Sequence, residues 1–373
     1  MEKKYVVFIV LILFILPYAL LAQVTVITPT VVPTGDPALD DFMNDALATV
    51  TNELTAEINT QIQPYIGQED LALGFANAGA TSTHTGTQRN YNDYKIFALT
   101  LGSGFAFSAP STNSVVIAEA INNIETEGDI YFGAAAQPIT ATLGINMDHF
   151  VENLYGAVKF GYADISAGTI SDDFSFKTLS LGAFLNYQFL DGRKLPLGIL
   201  RWRGLSLGSG VLYQRNKSGF KINFPVDPVS TGDISDGSNT YNAEISINPT
   251  LTMGVTSNSW TIPLEATTGV RLLWLLDLNI GAGVDVAFGN SEVKVNLDSP
   301  VVASESSDLL EFNDGSANID LGTNSDGPQF IRPRLTAGLG LNIGPVKLDI
   351  PLMYYFDSEG NSFMMGVNAG IVW

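Results

Sequence analysis

The sequence predicts an all-β protein: an antiparallel transmembrane β-barrel of about 12 strands, preceded by an N-terminal amphipathic helix. From Tyr94 onward, apolar side chains recur at every second position, and Gly, Ser, Thr or Asn fill most positions between them. The alternating segments are longer than the strands of most soluble sheets. Aromatic residues gather near segment ends, at Phe189, Tyr213, Trp260, Trp274, Tyr354, Phe356 and Trp373. Long strands, one nearly uninterrupted apolar face and aromatic girdles are typical of barrels that face lipid.

The composition supports this class and excludes several functions. The chain has 373 residues, of which 46% are hydrophobic and 36 are glycine. Its net charge of −20 leaves no basic surface for nucleic acid, so no nucleic-acid partner is predicted. The absence of cysteine excludes disulfides, thiolate metal sites and cysteine nucleophiles. No cofactor and no metal site are predicted.

The first 22 residues have the pattern of a secretory signal peptide. Lys3 and Lys4 precede an apolar run from Tyr5 to Leu21, and the small residue Ala22 follows. An uncleaved anchor is the alternative, although Pro17 and the shortness of the run make it marginal as a spanning helix. Cleavage is predicted after Ala22.

Residues 23–93 are predicted to form a linker, an amphipathic helix and a plug. The pair Asp36-Pro37 supplies a capping residue and a proline at the first helical position, and Pro64 ends the helical periodicity. The helix has two interpretations, either a plug or periplasmic interaction arm, or a helix packed on the barrel rim. Residues 67–93 are a further candidate for entering the lumen.

The barrel domain is predicted over residues 94–373. The alternation marks thirteen segments: 94–107, 139–147, 154–163, 176–190, 201–214, 219–226, 241–255, 261–271, 275–289, 291–297, 329–343, 345–356 and 363–373. Most bacterial barrels have an even number of strands. We therefore interpret 291–297 as a continuation of 275–289, which gives twelve.

The last strand carries a resemblance. The stretch "GVNAGIVW" places Ile371 and Trp373 on one face and resembles the C-terminal signal read by the barrel-assembly machinery. Together with the predicted signal peptide, residues 94–373 resemble the general class of bacterial outer-membrane β-barrels. That resemblance implies an outer-membrane location, with outer-membrane lipid and the assembly machinery as partners. The stretch "LALGFANAGATST" is similar to the small-residue hatch of fatty-acid transporter barrels.

The class also implies an orientation. With Trp373 at the periplasmic rim, residues 357–361 become an external hairpin and residues 298–328 an external loop. This loop contains seven acidic residues and no Lys or Arg. Oxygen clusters of this kind bind divalent cations, but the alternating ligand spacing of a calcium loop is missing. A mobile, solvated acidic loop is predicted.

The face opposite the apolar one carries charges of both signs. By alternation it holds Lys159, Glu244, Arg271, Asp277, Asn279, Asp285, Arg332, Arg334, Lys347 and Asp349. Arg332 and Arg334 are expected beside Lys347 and Asp349 of the next strand, with Asp349 paired to an arginine or to Lys347. Such charges line an aqueous pore and set its selectivity, or they fill a narrow barrel as ion pairs.

No enzyme is predicted, because neither histidine has a catalytic motif around it. His84 lies in "TSTHTGT", interpreted as a polar linker, and His149 in "NMDHFVEN", interpreted as a turn. The predicted function is a porin-like channel or transporter for small solutes of unknown identity. Two alternatives remain: a surface-exposed structural or adhesin-type barrel with a filled lumen, and a fatty-acid-type transporter of hydrophobic substrates.

Overall fold

The computed structural model describes most of the chain after the predicted signal peptide. The described residues are 23–62, 71–88, 94–109, 131–165, 173–194, 199–223, 229–230, 234–235, 240–241, 243–247, 250–305 and 310–373. The predicted signal peptide, residues 1–22, lies outside them.

The chain divides into two compact units. The ring unit comprises Glu69–Ser218, Val255–Val293 and Asn324–Trp373. The second unit comprises Met1–Gln68, Gly219–Gly254 and Lys294–Thr323.

Two helices and a large set of strands account for the described residues. The helices are α1 (Pro37–Ile62) and α2 (Leu71–Ser82). The strands are β1 (Gln23–Ile27), β2 (Thr30–Val31), β3 (Phe97–Ala109), β4 (Gly133–Asn146), β5 (Leu154–Ile165), β6 (Phe174–Lys194), β7 (Leu200–Asn223), β8 (Val229–Ser230), β9 (Ile234–Ser235), β10 (Thr240–Tyr241), β11 (Ala243–Ile247), β12 (Thr250–Leu272), β13 (Leu276–Glu305), β14 (Phe312–Asn313), β15 (Gly315–Asp326), β16 (Ile331–Ile343), β17 (Val346–Phe356) and β18 (Asn361–Val372).

The strands of the ring unit close on themselves. Neighbours follow the order β13-β12-β7-β6-β5-β4-β3-β18-β17-β16, and antiparallel pairing of β13 with β16 completes the circle. That register runs from Leu276 opposite Leu341 to Val286 opposite Ile331. The predicted antiparallel barrel is therefore confirmed.

The ring has ten strands where the alternation predicted about twelve. Segment 201–214 and residues 219–223 of the next segment belong to one strand, β7, and residues 224–226 lie outside the described residues. Segment 261–271 lies in β12 together with the end of 241–255, whereas the start of that segment forms β11, which is off the ring path. Segments 275–289 and 291–297 share β13, as predicted. The sequence analysis ended a strand wherever polar residues interrupted the apolar alternation. The strands continue through these stretches, because a strand ends where its backbone hydrogen bonding to neighbours ends.

The two ends of the ring differ in the length of their connections. At one end, the turn end, short segments join the strands: 147–153, 195–199, 273–275 and 344–345. At the other, the loop end, longer connections follow β3, β7 and β13, and the hairpin 357–360 follows β17. Both Phe97, which begins β3, and Val372, which ends β18, lie at the turn end, since Ala98 pairs with Val372.

The two faces of the ring have the predicted character. Outward residues are large, apolar and exposed, as Leu101, Phe160, Leu185 and Leu339 show. Inward residues such as Thr100, Thr142, Ser180 and Asn186 are buried and polar. Exposed aromatic residues form two sets along the outer wall. Phe189, Trp274 and Trp373 lie towards the turn end, and Trp260 and Phe356 towards the loop end.

The second unit has its own small cores. Asp36 caps α1 as predicted, because its Oδ1 accepts from the amide of Ala38 at 3.0 Å. Met43 of α1 packs with Val31 and Leu310, and Leu47 packs one turn later in a cluster with Val301. Among the described residues, neither helix is long and apolar enough to cross a membrane.

The expectation of a mobile loop over residues 298–328 is wrong. This stretch holds the end of β13, then β14 and β15. β15 pairs with β1 from Ser316 opposite Ile27 to Asp320 opposite Gln23, and β14 pairs with β2. These strands could not be predicted from residues 298–328 alone, because their partner strands come from residues 23–31. Its acidic residues Asp298, Asp314 and Asp326 are nevertheless exposed.

Candidate functional site

The interior of the ring holds part of the chain itself. Helix α2 and the turn after it, residues 71–88, form what we call the inner segment, and each of its residues is buried. The helix "LALGFANAGATS" is built mainly of small residues. Small side chains keep the helix narrow enough to fit within a ring of ten strands. The expectation that residues 67–93 enter the lumen holds for residues 71–88, where no helix was predicted, and its remaining residues, 67–70 and 89–93, lie outside the described part of the chain.

Strands on all sides of the ring hydrogen-bond to the backbone of the inner segment. Thr261 of β12 donates to the carbonyl oxygen of Ala80 at 3.3 Å, and Thr142 of β4 donates to that of Gly86 at 2.8 Å. Lys159 of β5 donates through Nζ to the carbonyl oxygens of Thr83 and, at 3.0 Å, Thr85. Asn186 of β6 donates to the carbonyl oxygen of Gln88 at 3.2 Å. The polar inner wall therefore satisfies backbone groups that would otherwise be buried without partners.

Three glycines let the inner segment approach the wall. A Cβ on Gly74 would lie 2.4 Å from the carbonyl oxygen of Phe132, and one on Gly79 would lie 2.4 Å from Oγ of Ser257. Gly86 has a φ of +75° and would place a Cβ 2.1 Å from Oγ1 of Thr140. Gly86 meets both conditions for glycine, a left-handed backbone and no space for a side chain.

Arg332 of β16 joins the wall to the inner segment. Its guanidinium makes a bidentate contact with Asp357, at 2.9 Å from Nε and 2.7 Å from Nη2. Nη1 donates to the carbonyl oxygen of Asn77 at 3.0 Å and Nη2 to the hydroxyl of Thr81 at 2.8 Å. The guanidinium carbon also lies 4.4 Å from the ring centre of Tyr355. A fork of this kind fixes orientation as well as charge.

Arg334 lies at the centre of a second set of contacts. Its Nε donates to Oδ1 of Asp285 at 2.9 Å, and its Nη2 donates to Glu265. Asp285 also accepts from the hydroxyl of Tyr355 at 2.7 Å, and its Oδ2 lies 2.6 Å from Nε2 of His84. An ionised carboxylate is an acceptor only, so Nε2 of His84 carries the proton in this contact.

These buried groups are coupled to the inner segment at three points, through Asn77, Thr81 and His84. We call them the central network, which consists of His84, Glu265, Asp285, Arg332, Arg334, Tyr355 and Asp357. The side chains of its ion pairs are at most 1% exposed.

A different network lies towards the turn end. Asp277 accepts from Nε and Nη2 of Arg271 at 2.7 and 2.9 Å, from Arg203 at 3.1 Å and from Asn342 at 2.7 Å. We call Arg203, Arg271, Asp277 and Asn342 the rim network. Beside it is a polar cavity of about 550 Å³, whose lining includes Tyr94, Tyr155, Arg201, Arg203, Arg271 and Asn279.

The loop end of the inner segment is fixed by neutral groups. Asn77 donates through Nδ2 to the hydroxyl of Tyr131 and accepts from the amide of Gln329 at 2.8 Å. The Tyr131 hydroxyl also lies 2.7 Å from Oγ of Ser108. Burial raises the pKa of Tyr131 to about 12, so its hydroxyl stays protonated at neutral pH.

The structure places most of the predicted lumen residues inward, with one clear exception. Lys159, Asp277, Asn279, Asp285, Arg332, Arg334 and Lys347 are buried, and Arg271 and Asp349 are partly buried. Glu244 belongs instead to β11 in the second unit and is exposed. Its strand was predicted to run unbroken into the ring, which assigned a lumen position to a residue off the ring path.

The expected neighbourhood of the arginines is also wrong. The turn at Gly344-Pro345 pairs residues at equal distances from it, so Arg334 lies opposite Tyr355 and Asn342 lies opposite Lys347. Lys347 and Asp349 are therefore near the turn end, far along the strand from Arg332 and Arg334. Asp349 accepts from Nδ2 of Asn368 at 2.8 Å. The arginines take Asp285, Glu265 and Asp357 as carboxylate partners.

The structure also corrects the interpretation of His84. The histidine is buried in the central network and not in a polar linker, because the inner segment carries it into the ring. No periodic signal could have revealed this position. The sequence analysis did not include Glu265 and Asp357 among the lumen residues, although the alternation of inward and outward positions could have identified both. Glu265 is an even number of residues from Arg271 on β12, and Asp357, one residue beyond β17, is an even number of residues from Lys347. His149, in contrast, lies in an exposed turn as predicted.

The two residues of the predicted assembly signal lie at the turn end. Ile371 and Trp373 are 49% and 66% exposed on the outer wall. The amide of Trp373 donates to the carbonyl oxygen of Phe97 at 2.9 Å, and its own carbonyl oxygen accepts from the amide of Ile96 at 2.8 Å. Their position leaves both side chains accessible from outside the ring, and their role in assembly stays a prediction.

The arrangement as a whole is suited to holding the inner segment in place. Every charged group of the central network has an oppositely charged partner or a hydrogen-bond partner within the ring. Among the described residues, no group of three or more His, Asp or Glu side chains is placed to hold a metal ion.

Comparison with known proteins gave one family and several barrels. A model of the Lsa36-like family matches residues 19–373. The translocator domain of the autotransporter NalP from Neisseria meningitidis is 12% identical, with a TM-score of 0.28, over 75% of this chain and 89% of that chain. The toluene transporter TbuX from Ralstonia pickettii is 9% identical, with a TM-score of 0.23, over 81% and 99%.

A third solved structure, a FadL homologue from Pseudomonas aeruginosa, is 10% identical, with a TM-score of 0.23, over 82% of this chain and 98% of that chain. Comparison with curated proteins found no match.

Proposed function

The chain belongs to the Lsa36-like family, and on this premise we propose that it is a bacterial outer-membrane β-barrel with a filled lumen, which anchors a surface-exposed region. The observation that carries the proposal is the inner segment, buried along its whole length and tied to the wall by the central network. Among the described residues, residues 71–88 occupy the interior of the ring, and on this proposal they block the passage of solutes.

The outer wall supports the membrane placement. Its large apolar residues are exposed all around the ring, as Leu99, Val158, Leu185, Ile280 and Ile350 show. Soluble monomers rarely expose so large a continuous apolar surface. A lipid bilayer removes this cost, and an apolar band between two sets of aromatic residues matches the outer-membrane class.

The loop end is proposed to face outside the cell. Short turns on the periplasmic side and longer outer loops are the rule for these barrels. The anchored region then includes the end of β13 and the connection after it, with exposed acidic residues such as Asp298 and Asp314. These exposed carboxylates make the region anionic.

Conductance of the refolded protein in planar bilayers tests the filled lumen. We expect no steady current from the wild type, since the inner segment blocks the ring. A stable open conductance in the wild type would overturn the proposal and favour the porin-like alternative. Heat-modifiable migration on gels, measured in parallel, shows whether the reconstituted protein is a folded barrel.

Gated transport of a small polar solute is a second candidate, favoured by the cavity beside the rim network. This cavity of about 550 Å³ is polar and large enough for a small solute. Oδ1 of Asn279, which lines it, has no hydrogen-bond partner among the described residues. In this case the inner segment would have to move to let the solute through.

A disulfide separates the two candidates. A Cβ built on Gly79 lies 3.4 Å from Cβ of Ser257, close to the separation of about 3.5–4.5 Å found in disulfides. The chain has no cysteine of its own, so Gly79→Cys with Ser257→Cys would fix the inner segment to β12 without competing pairs. Solute uptake that is lost on oxidation and restored by reductant would support gating. Identical behaviour in both states, with the single Ser257→Cys variant as control, supports a permanently filled lumen.

A further inference from the structure

The direction in which the inner segment runs through the ring can be read from its contacts. Near the loop end, Asn77 contacts Gln329 and Tyr131, which precede β16 and β4. Further along, His84 contacts Asp285 in the middle of the ring. Gln88 then donates to Thr100, near the start of β3, at 2.8 Å. The chain therefore enters the ring at the loop end and advances towards the turn end.

The chain leaves the ring where the first ring strand begins. The carbonyl oxygen of Tyr94 accepts from Nδ2 of Asn146 at 3.1 Å, at the turn end of β4. β3 starts three residues later at Phe97. The twelve residues of α2 span about 18 Å at 1.5 Å per residue. With the residues up to Tyr94, this length is sufficient to cross an apolar band of about 25 Å.

The path of the inner segment is unexpected, because an antiparallel ring with an even number of strands begins and ends at the same end. β3 begins and β18 ends at the turn end. A chain that simply joined β3 from its own side would have all preceding residues at the turn end. Helix α2 instead has Asn77 near the loop end, because the inner segment runs from that end towards β3.

Strand pairing gives a second, independent observation. β1 pairs with β15 and β2 pairs with β14. β14 and β15 lie in the connection between β13 and β16, which is made at the loop end. The N-terminal strands therefore pair with strands that the chain reaches from the loop end of β13, which agrees with the direction of the inner segment.

We propose that the barrel is the route by which the chain exports its own N-terminal region, so that residues 23–70 emerge at the loop end. The inner segment, residues 71–88, follows this region in the chain and stays in the ring once passage ends. The statement that the loop end faces the cell surface rests on the proposed function, whereas the direction of threading does not.

The exported region has properties that suit passage through a narrow ring. Residues 23–70 contain eight Asp or Glu residues and no Lys or Arg. No cysteine can lock the segment into a folded loop before it crosses. Its strands β1 and β2 pair with β15 and β14, which the chain reaches after the loop end of β13. Pairing there would hold the segment in place after it has crossed and oppose its return.

Three single-cysteine variants test the proposal in the full-length chain. Asp41→Cys lies on the exposed part of α1, Glu359→Cys lies in the loop-end hairpin, and His149→Cys lies in an exposed turn at the turn end. The probe is a maleimide coupled to a polyethylene glycol too large to cross the outer membrane. We expect Asp41→Cys and Glu359→Cys to be labelled on intact cells, and His149→Cys only after permeabilisation.

The outcomes separate this inference from the proposed function. If Asp41→Cys follows His149→Cys, or stays unlabelled under both conditions, the export of the N-terminal region is overturned while the orientation of the barrel stands. If Glu359→Cys and Asp41→Cys are both labelled only after permeabilisation, the threading stands and the proposed orientation fails. Heat-modifiable migration of each variant shows that the labelled protein is folded.

Discussion

The central network and the rim network are both built of arginines and carboxylates on the inner wall, yet they differ in what surrounds them. Arg332 and Arg334 pair with side chains that are at most 1% exposed, and their network contacts the inner segment. Arg203 and Arg271 are 12% and 14% exposed, and they border a polar cavity. The central network therefore joins the wall to the inner segment away from water, whereas the rim network remains partly exposed.

This difference determines how much each charge depends on its partner. A buried ion pair loses its hydration and is stable only while each member keeps its counter-charge. A pair near water recovers part of that hydration when one member is removed. Similar residues on neighbouring strands should therefore respond very differently to the same substitution.

The largest effect is expected from Arg334→Met. This change leaves Asp285 and Glu265 buried without their cation, at a cost of about 3–5 kcal/mol in free energy of unfolding. Urea unfolding in detergent, followed by heat-modifiable migration on gels, measures the loss. Expression of a folded variant with an unchanged midpoint would show that the network does not stabilise the ring.

A smaller effect is expected from Gly74→Ala, which acts on the inner segment and not on a charge. The new Cβ would lie 2.4 Å from the carbonyl oxygen of Phe132, a backbone atom that cannot rotate away. Overpacking of this kind costs about 1–3 kcal/mol. We expect a lower unfolding midpoint and intermittent conductance, as the inner segment is displaced.

Gly254→Ala is the matched control for that change, since no atom lies within 4 Å of a Cβ built there. Without a clash, Gly→Ala restricts the unfolded chain and does not destabilise the fold. Equal losses of stability in the two variants would therefore mean that the approach to Phe132 does not explain the result.

Alternation in the sequence predicts which way a side chain points, but not what it meets there. The parity of β16 placed Arg332 and Arg334 inward, and a guanidinium facing lipid would cost about 2–4 kcal/mol. Their partners could not be read in the same way, because Asp285 is on β13 and ring closure alone brings β13 to β16. His84 was beyond such reasoning, since it has no strand periodicity and reaches Asp285 only through the inner segment.

His84→Leu is expected to have a moderate effect within the same central network. Asp285 would lose one of its contacts but keep Nε of Arg334 and the hydroxyl of Tyr355. Loss of one hydrogen bond to a buried charged group costs about 1.5–3 kcal/mol. Unfolding midpoints of His84→Leu and Arg334→Met, measured side by side, should rank the histidine well below the arginine. A reversed ranking would make the histidine the main link between wall and inner segment.

The smallest effect is expected from Arg271→Met in the rim network, the direct counterpart of Arg334→Met. Asp277 would still accept from Arg203 at 3.1 Å and from Asn342 at 2.7 Å. The adjacent cavity would also admit water to the carboxylate. We expect a loss of about 1 kcal/mol with no conductance in planar bilayers, because the inner segment keeps its contacts with Arg332 and Lys159. A loss as large as that of Arg334→Met would remove the distinction between the two networks, since both would then depend on fully dehydrated ion pairs. A current through Arg271→Met would instead show that the rim network holds the inner segment from the turn end.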